Sequence, residues 1–253
     1  MKKNKKTILI TGGAGRMGSD LAANLLKEGH NVILGDLNKS ELLKIKKKLK
    51  SQNLLVYPAN LSQKKNIDKF INFGLKKFKK IHGAVHCAYP RSKKWGKKFE
   101  DLEDKYLNQD LQNQLGGTII FSQRIMKTFL KQKVGNLVLI SSIQGIQPPK
   151  FEHYKNLNMT SPIEYSAIKS GIISITKYLS KYYKNKNIRV NCVSPGGIEA
   201  KQSKIFKTRY KNSCNSKGLL NEEDITKLIL FLLSDESKYI NGQNLIIDDG
   251  WSL

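Results

Sequence analysis

A tyrosine and a lysine four residues apart carry the clearest chemical signal in the chain. Tyr165 and Lys169 lie in the run Tyr-Ser-Ala-Ile-Lys, in a segment whose apolar residues have helical spacing. Residues four apart on a helix share a face, so both side chains can contact one ligand. A free tyrosine has a pKa of about 10, and a nearby ammonium favours the phenolate, as general acid–base catalysis requires. Taken alone, the same spacing also suits an exposed helix surface.

A serine at the end of an apolar run favours the catalytic interpretation. Ser142 closes the strand-like segment Asn136–Ser142 and precedes Ile143, Gln144 and Gly145. In a parallel α/β sheet, ligands bind at the carboxyl ends of the strands. A hydroxyl at that position can therefore reach the same ligand as Tyr165.

Three glycines follow the first apolar run directly. Gly12, Gly15 and Gly18 are spaced GxxGxxG between the strand-like run TILIT and a helical pattern, with Arg16 and Met17 in the same loop. Such a loop permits a tight turn and a close approach of backbone to a pyrophosphate, which the N-terminus of the helix then faces. The alternative is a purely structural turn. In this context, between a first strand and a first helix, the loop predicts dinucleotide binding.

An aspartate supplies the expected partner for the adenosine end of such a cofactor. Asp36 ends the second strand-like run, 18 residues after Gly18, and Leu37 follows it. A carboxylate there can accept hydrogen bonds from both ribose hydroxyls and would repel a 2′-phosphate, which favours NAD over NADP. Two alternatives remain: Asp36 is a solvent-facing turn residue, or Arg16 bends toward the same end of the cofactor.

Strand-like and helical patterns alternate from one end of the chain to the other. Helices are predicted near residues 17–28, 39–50, 63–80, 101–132, 164–184 and 221–233, the last with Asn221 as its cap. This alternation predicts one α/β domain over residues 1–253, a Rossmann-type doubly wound parallel sheet with helices on both faces. Two long irregular stretches are predicted to form a substrate loop at 143–163 and a lid at 194–220. The seven predicted strands are Thr7–Thr11, Asn31–Asp36, Leu54–Pro58, Ile81–Ala88, Asn136–Ser142, Ile188–Val193 and Asn244–Asp248.

The charge of the chain favours a nucleic-acid partner only at first sight. The 253 residues include 45 Lys and Arg against 20 Asp and Glu, a formal charge of +25, but only five of the cations are arginines. Arginine is the preferred residue for bidentate phosphate and base contacts. Moreover, the lysines of segments 39–50 and 63–80 surround apolar stripes, as on solvated helix faces. We therefore expect no specific nucleic-acid partner, although a polyanion-binding surface remains the alternative.

Other compositional features narrow the class of protein further. No apolar run approaches the roughly 18 to 20 residues of a membrane span, and the opening MKKNKKTILITGGAG is a poor signal peptide. The three cysteines are far apart and lack metal-ligand spacing. We expect a cytoplasmic protein with no membrane partner, no disulfide framework and no metal site.

Together these motifs resemble the short-chain dehydrogenase/reductase family over nearly the whole chain. The similarity includes the run Asn191 to Gly197 and the ending Gly242 to Gly250. Within the family, Ala88 to Arg91, the insert Lys150 to Pro162 and the run Glu164 to Ile173 are most similar to the flagellin modification protein A group. That group is associated with making legionaminic acid, a sialic-acid-like nonulosonic sugar. The resemblance implies oxidoreductase activity, NAD as cofactor, and a homotetramer or homodimer with helices near 101–132 and 164–184 at the main interface.

The resemblance also implies individual roles. Tyr165 exchanges the proton at the reacting oxygen, Ser142 hydrogen-bonds to it, and Lys169 holds the nicotinamide ribose. Gln114 aligns with the asparagine that normally supports a proton relay, and the extra methylene changes that geometry. Cofactor contacts are implied for the loop residues Gly12, Gly15, Arg16, Met17 and Gly18, for Asp36 and Leu37, for Asn60 and Leu61 at the adenine, for Cys87, Ala88 and Tyr89 at the middle, and for Lys169, Pro195, Gly196 and Ile198 at the nicotinamide.

The expected reaction is hydride transfer to or from a carbonyl or secondary alcohol carbon, on a sugar or amino-sugar derivative. The insert before Tyr165 offers stacking and hydrogen-bonding side chains for such a substrate. Arg91 either contacts an anionic group on the substrate or is a surface charge. His153 suits a polar loop residue better than a catalyst. Two alternatives remain: a dehydrogenase for another small carbonyl compound, or a dinucleotide-binding protein without catalysis. The insert side chains are Pro148, Pro149, Phe151, His153, Tyr154, Asn156 and Asn158.

Overall fold

The computed structural model describes residues 5–253, so the first four residues of the predicted domain lie outside the described range. Seven strands form one parallel sheet in the order β3-β2-β1-β4-β5-β6-β7, which confirms the predicted doubly wound topology. Short runs of Ile, Leu and Val form these strands because helices cover both faces. The strands are β1 Thr7–Thr11, β2 Asn31–Asp36, β3 Leu54–Pro58, β4 Gly83–His86, β5 Gly135–Ile140, β6 Ile188–Pro195 and β7 Asn244–Ile247.

Eight α-helices lie in the described part of the chain. They are α1 Arg16–Lys27, α2 Lys39–Leu49, α3 Lys64–Phe78, α4 Asp104–Asp110, α5 Gly117–Gln132, α6 Ile163–Tyr182, α7 Lys204–Lys211 and α8 Glu222–Leu233. Buried residues of α1, α2 and α8 pack against one face of the sheet. Those of α3, α5 and α6 pack against the other. The sheet is thus the middle of three layers.

Two predicted segments differ in detail. The single helix expected at 101–132 is instead a 3₁₀ turn at Phe99–Asp101, then α4, a π-helical segment at Leu111–Gly116, and α5. The predicted lid at 194–220 contains α7, and β6 runs on to Pro195. Helix α7 was not predicted because four of its eight residues are charged. Its amphipathic signal is correspondingly short, and Phe206 and Tyr210 are its buried residues.

The surface lysines and the cap of α8 agree with the sequence patterns. The lysines of α2 are exposed around buried Leu42, and the lysines of α3 are exposed around Ile67 and Phe70. At the start of α8, the Asp224 carboxylate accepts a hydrogen bond from the Asn221 amide at 2.8 Å. Within residues 5–253, every helix is too short or too polar to cross a bilayer.

Candidate active site

The four predicted catalytic residues line one crevice of about 490 Å³. Ser142 lies two residues after the end of β5, Tyr165 and Lys169 project from the first two turns of α6, and Gln114 comes from the π-helical segment. Because α6 packs beside β5 and β6, its first turns reach the carboxyl ends of those strands. The fold therefore brings together residues that are up to 55 positions apart in the chain.

Lys169 is anchored at the end of β5. Its side chain is 7% exposed, and Nζ donates a hydrogen bond to the Ile140 carbonyl at 2.9 Å. Burial lowers the pKa of the Lys169 ammonium to about 8. The ammonium lies 5.5 Å from the centre of the Tyr165 ring, close enough to interact with a phenolate.

The phenol of Tyr165 is a weaker acid than its spacing to Lys169 predicts. Burial raises the pKa of the Tyr165 phenol, and a hydrogen bond with Ser142 acts in the opposite direction. Ser142 itself is held in place, because its Oγ accepts a hydrogen bond from the Gln144 amide at 3.2 Å. The phenol is thus in its protonated form at neutral pH and is placed to donate its proton.

Gln114 is buried in the same crevice, and its side-chain amide is unpaired within the described residues. Its side chain is 4% exposed, and neither Nε2 nor Oε1 has a hydrogen-bond partner among the described residues. A buried amide without partners is costly, and a catalytic role is one explanation for keeping such a group. The π-helical segment that carries it is also a feature found frequently at functional sites.

Aromatic rings form one wall of the crevice. The rings of Tyr89 and Trp95 meet edge to face at 5.5 Å, and each lies edge to face with Tyr165, at 5.8 Å and 6.1 Å. The Lys169 ammonium is 5.3 Å from the centre of the Tyr89 ring. Sequence reasoning missed Trp95, although it is one of only two tryptophans and closely follows the Ala88 to Arg91 segment.

The crevice continues into a second cavity of about 750 Å³ at the ends of β1, β2 and β3. The two cavities share His86, Ala88, Tyr89 and Trp95. Among the predicted cofactor residues, the crevice is lined by Met17, Cys87, Ala88, Tyr89, Lys169, Pro195, Gly196 and Ile198. The second cavity is lined by Gly12, Asp36, Leu37, Asn60, Leu61, Ala88 and Tyr89.

The glycine loop is closely packed and leaves the start of α1 uncapped. Gly12 has φ +67°, and a Cβ there would lie 2.7 Å from the Cys87 carbonyl carbon. A Cβ on Gly18 would lie 2.4 Å from the Gly12 oxygen. The N-cap, Gly15, supplies no side-chain hydrogen bond, and the first turn of α1 carries no acidic residue. Its amide groups are therefore free to bind an anion.

Asp36 is fixed at the edge of the second cavity. One carboxylate oxygen accepts a hydrogen bond from the Ala14 amide at 3.0 Å, and the other accepts one from Asn38 at 2.9 Å. These bonds hold the carboxylate between the glycine loop and the end of β2, with remaining lone pairs for a ligand. Leu37 beside it is 71% exposed.

Three predicted cofactor residues make other contacts. Arg16 forms an ion pair with Glu222 at the start of α8, so its guanidinium has a partner within the chain. Gly15, Arg16 and Gly18 line neither of the two cavities. The Asn60 side-chain oxygen accepts a 2.7 Å hydrogen bond from Ser62, and Leu61 belongs to the hydrophobic core.

Segments 143–163 and 194–220 meet in a largely aromatic cluster beside the crevice. Buried residues of the cluster are Ile143, Phe206, Tyr210, Leu219 and Trp251. His153, only 2% exposed, packs against three of these rings, and its Nε2 lies 2.9 Å from the Ser213 hydroxyl. Burial lowers the pKa of His153, so its imidazole is a neutral structural group. His153 is therefore a buried residue of this cluster and not the polar loop residue that the sequence predicts.

Known proteins resemble this chain over almost its whole length. A family model described as enoyl-(acyl carrier protein) reductase matches residues 13–252. The chain is 40% identical over 252 residues to the post-translational flagellin modification protein A of Campylobacter coli, with 98% of each chain covered. It is 30% identical over 257 residues to the 3-oxoacyl-(acyl-carrier-protein) reductase FabG of Thermotoga maritima, with 99% of each covered. A solved structure of a short chain dehydrogenase from Leptospira borgpetersenii with bound NAD+ matches with a TM-score of 0.89 and 31% identity, covering 99% of this chain and 94% of that one.

Proposed function

Because the chain belongs to the short-chain dehydrogenase/reductase family, we propose that it is an NAD(H)-dependent oxidoreductase acting on a sugar or amino-sugar derivative. The observation that carries this proposal is the convergence of Ser142, Tyr165 and Lys169 in one crevice. That crevice continues toward Asp36 through the second cavity, which gives an elongated ligand a continuous path.

The chain's own residues fit a dinucleotide. The uncapped start of α1 would hold the pyrophosphate, and Asp36 would accept hydrogen bonds from the adenosine ribose. Lys169, Pro195 and Gly196 line the opposite end, where the nicotinamide would lie. When bound, NAD(H) would supply or accept the hydride. The fixed carboxylate of Asp36 disfavours a 2′-phosphate, which supports NAD over NADP.

The protein groups provide the proton. In the direction of reduction, Tyr165 donates its phenolic proton to the substrate oxygen as negative charge develops there. The Lys169 ammonium, 5.5 Å from the ring centre, then stabilises the phenolate electrostatically. Ser142 hydrogen-bonds to the phenol and keeps it oriented toward the reacting oxygen. In the oxidative direction the same groups act in reverse.

Gln114 is suited to support proton exchange with solvent. Both polar atoms of its amide are buried and unpartnered in the described chain, and the residue lines the crevice that Tyr165 and Lys169 share. An amide can accept from one group and donate to another, as a relay requires. We assign Gln114 the role that an asparagine has in most of the family.

The substrate assignment rests on the walls of the crevice and on one relative. Tyr89, Trp95 and Tyr154 present aromatic surfaces that can pack against the apolar face of a sugar ring, while Gln144 and Ser161 offer hydrogen bonds. The relative that is 40% identical is named a flagellin modification protein. A sugar destined for flagellin glycosylation, such as a nonulosonic acid precursor, is therefore the preferred substrate class.

Self-association is part of the proposal. Ile119 and Leu130 on α5, and Tyr178 and Tyr182 on α6, are apolar side chains that are between 39% and 66% exposed. Apolar residues grouped on neighbouring helices favour a protein interface. We therefore expect a homodimer or homotetramer through α5 and α6, which light scattering after size-exclusion chromatography will test.

The direct test is a coupled assay. NAD reduction is measured with a panel of sugars, amino sugars and their phosphates as substrates. Separate calorimetric titrations measure the binding of NAD and NADP. We expect Tyr165→Phe to lower kcat by about 10²- to 10⁴-fold, the usual contribution of a general acid or base, with NAD affinity retained. Full turnover by Tyr165→Phe, or no binding of NAD to the wild-type protein, would refute the proposal.

A further inference from the structure

A third concave space, of about 680 Å³, opens beside the catalytic crevice, and we call it the outer cleft. Tyr154, Met159, Thr160, Ser161 and Pro162 line both spaces, so a single ligand can extend from one into the other. The remaining lining residues of the outer cleft are Lys98, Phe99, Glu100, Pro149, Phe151, Lys155, Asn156, Leu157, Ile163 and Ser166.

The outer cleft is larger than one sugar ring needs. Ligand sites of roughly 300 to 1,000 Å³ bind molecules of drug size, and the catalytic crevice alone falls within that range. Two phenylalanines on separate 3₁₀ turns line the outer cleft while remaining strongly exposed, Phe99 at 70% and Phe151 at 59%. Exposed apolar groups around a concavity are typical of a binding site.

Positive charge surrounds the same cleft. Lys98, which precedes α4 in the chain, and Lys155, which precedes α6, both line it. Among the described residues, Glu100 is the acidic residue that lines it. The loop leading to Lys98 carries five cations in eight residues, from Arg91 to Lys98. Helix α6 also begins here, since Pro162, Ile163 and Ser166 line the cleft, and its first turn carries Glu164, which is buried and does not line the cleft. The cations that line the cleft are therefore the two lysines.

We propose that the outer cleft binds a phosphate-bearing part of the substrate, so that the enzyme acts on a phosphorylated sugar and not on the free sugar. This inference rests on the proposed function of the crevice. The sugar carbon that exchanges hydride lies at Tyr165, and the phosphate ester lies beyond Tyr154, between Lys98 and Lys155. Free sugar phosphates and nucleoside diphosphate sugars share this chemistry, and Phe99 and Phe151 can stack on a base only in the latter.

The test compares substrates of one sugar series in three forms: the free sugar, its phosphate, and its nucleoside diphosphate conjugate. At fixed ionic strength, we expect kcat/KM to be at least about 10-fold higher for a phosphorylated form, as charge-assisted hydrogen bonds imply. The double variant Lys98→Ala/Lys155→Ala is expected to remove most of that advantage through KM. It should leave kcat/KM for the free sugar within about 2-fold of the wild-type value, because the lysines lie outside the catalytic crevice.

A matched double variant controls for overall charge. Lys47→Ala/Lys48→Ala removes two exposed lysines from α2, and we expect it to leave all three substrates unaffected. Calorimetry with the phosphate ester on NAD-saturated protein gives a second measurement that does not require turnover. Phe151→Ala separates the two sources, because it should weaken only a nucleoside diphosphate conjugate.

Equal kcat/KM for the free and phosphorylated forms would overturn the inference, as would equal losses for both forms in the Lys98/Lys155 variant. If instead a second copy of the chain covers Phe99 and Phe151, Phe151→Ala will change the oligomeric state without any phosphate preference, and the inference again fails. Turnover of the free sugar that depends on Tyr165 would leave the proposed function intact in either case.

Discussion

Replacing Lys169 by methionine should stabilise the protein while abolishing its activity. The pKa of the lysine falls from 10.5 to about 8 because its ammonium is buried. At about 1.4 kcal/mol for each pH unit, burying the charged form costs about 3 kcal/mol at pH 7. Methionine has a similar shape and no charge, but it forfeits the hydrogen bond to the Ile140 carbonyl, worth about 1 kcal/mol. The expected net gain in the free energy of unfolding is therefore about 2 kcal/mol.

The sign of the pH dependence follows from proton binding. Below pH 8, Lys169 is protonated in both the folded and the unfolded state, so the whole penalty is present. Between pH 8 and 10.5 the folded state releases this proton first, the unfolded state binds more protons, and the wild-type free energy of unfolding rises. The advantage of Lys169→Met is thus largest at neutral pH and should nearly vanish by about pH 9.5.

Urea denaturation of both proteins in parallel, from pH 6.5 to 9.5, measures this difference and cancels the titration of other groups. At pH 7, 2 kcal/mol corresponds to a rise in Tm of about 4 to 8 °C for a chain of this size. Lys169→Arg is the control, because a guanidinium keeps its charge over this pH range. The stability of the Lys169→Arg protein should therefore not converge with that of Lys169→Met at high pH. A Lys169→Met protein less stable than wild type at pH 7, or a difference independent of pH, would refute the reasoning.

Variants at three further positions test the other parts of the site. Gln114→Met should raise the free energy of unfolding by about 1 to 3 kcal/mol, because it removes a buried amide without partners. It should also lower kcat, while Gln114→Asn keeps kcat, and equal kcat in both variants would exclude the relay role. Asp36→Asn should shift the NAD/NADP preference in steady-state KM toward NADP by about 5- to 1000-fold, since a carboxylate about 4 Å from a phosphate costs about 1 to 4 kcal/mol; an unchanged ratio contradicts this. Arg209→Ala removes the 2.6 Å hydrogen bond from α7 to the Lys155 carbonyl, so hydrogen exchange of residues 151–157 should accelerate and KM should rise with little change in kcat.

The fold could be predicted from the sequence because each strand has a recognisable local sequence pattern. Runs such as TILIT and NVILGD are buried on both faces, so they are apolar throughout, and the glycine loop marks the first crossover. The strand order and the convergence of Ser142, Tyr165 and Lys169 then follow from topology. The family resemblance added the roles of these residues, which spacing alone could not supply.

Contacts between distant loops could not be predicted in this way. His153 looks like a polar loop residue in sequence, and only the docking of α7 and Trp251 buries it. Trp95 is in a lysine-rich loop, and its packing against Tyr165 joins residues 70 positions apart. In both cases the environment comes from segments whose mutual placement no local pattern encodes.

The acidity of Tyr165 could not be predicted from the sequence either, because it depends on how deeply the phenol is buried. Helical spacing correctly places the lysine on the face of the tyrosine, but it carries no information about how far either group is removed from water. Desolvation raises the pKa of the phenol and lowers that of the ammonium, so burial opposes the charged form of both partners. A neutral phenol beside a lysine that titrates near pH 8 is ready to give up a proton, and the phenolate gains its stabilisation only when the transfer occurs. Under the proposed mechanism, the attraction between the two residues is therefore stronger in the reacting state than in the ground state, and only such a difference accelerates a reaction.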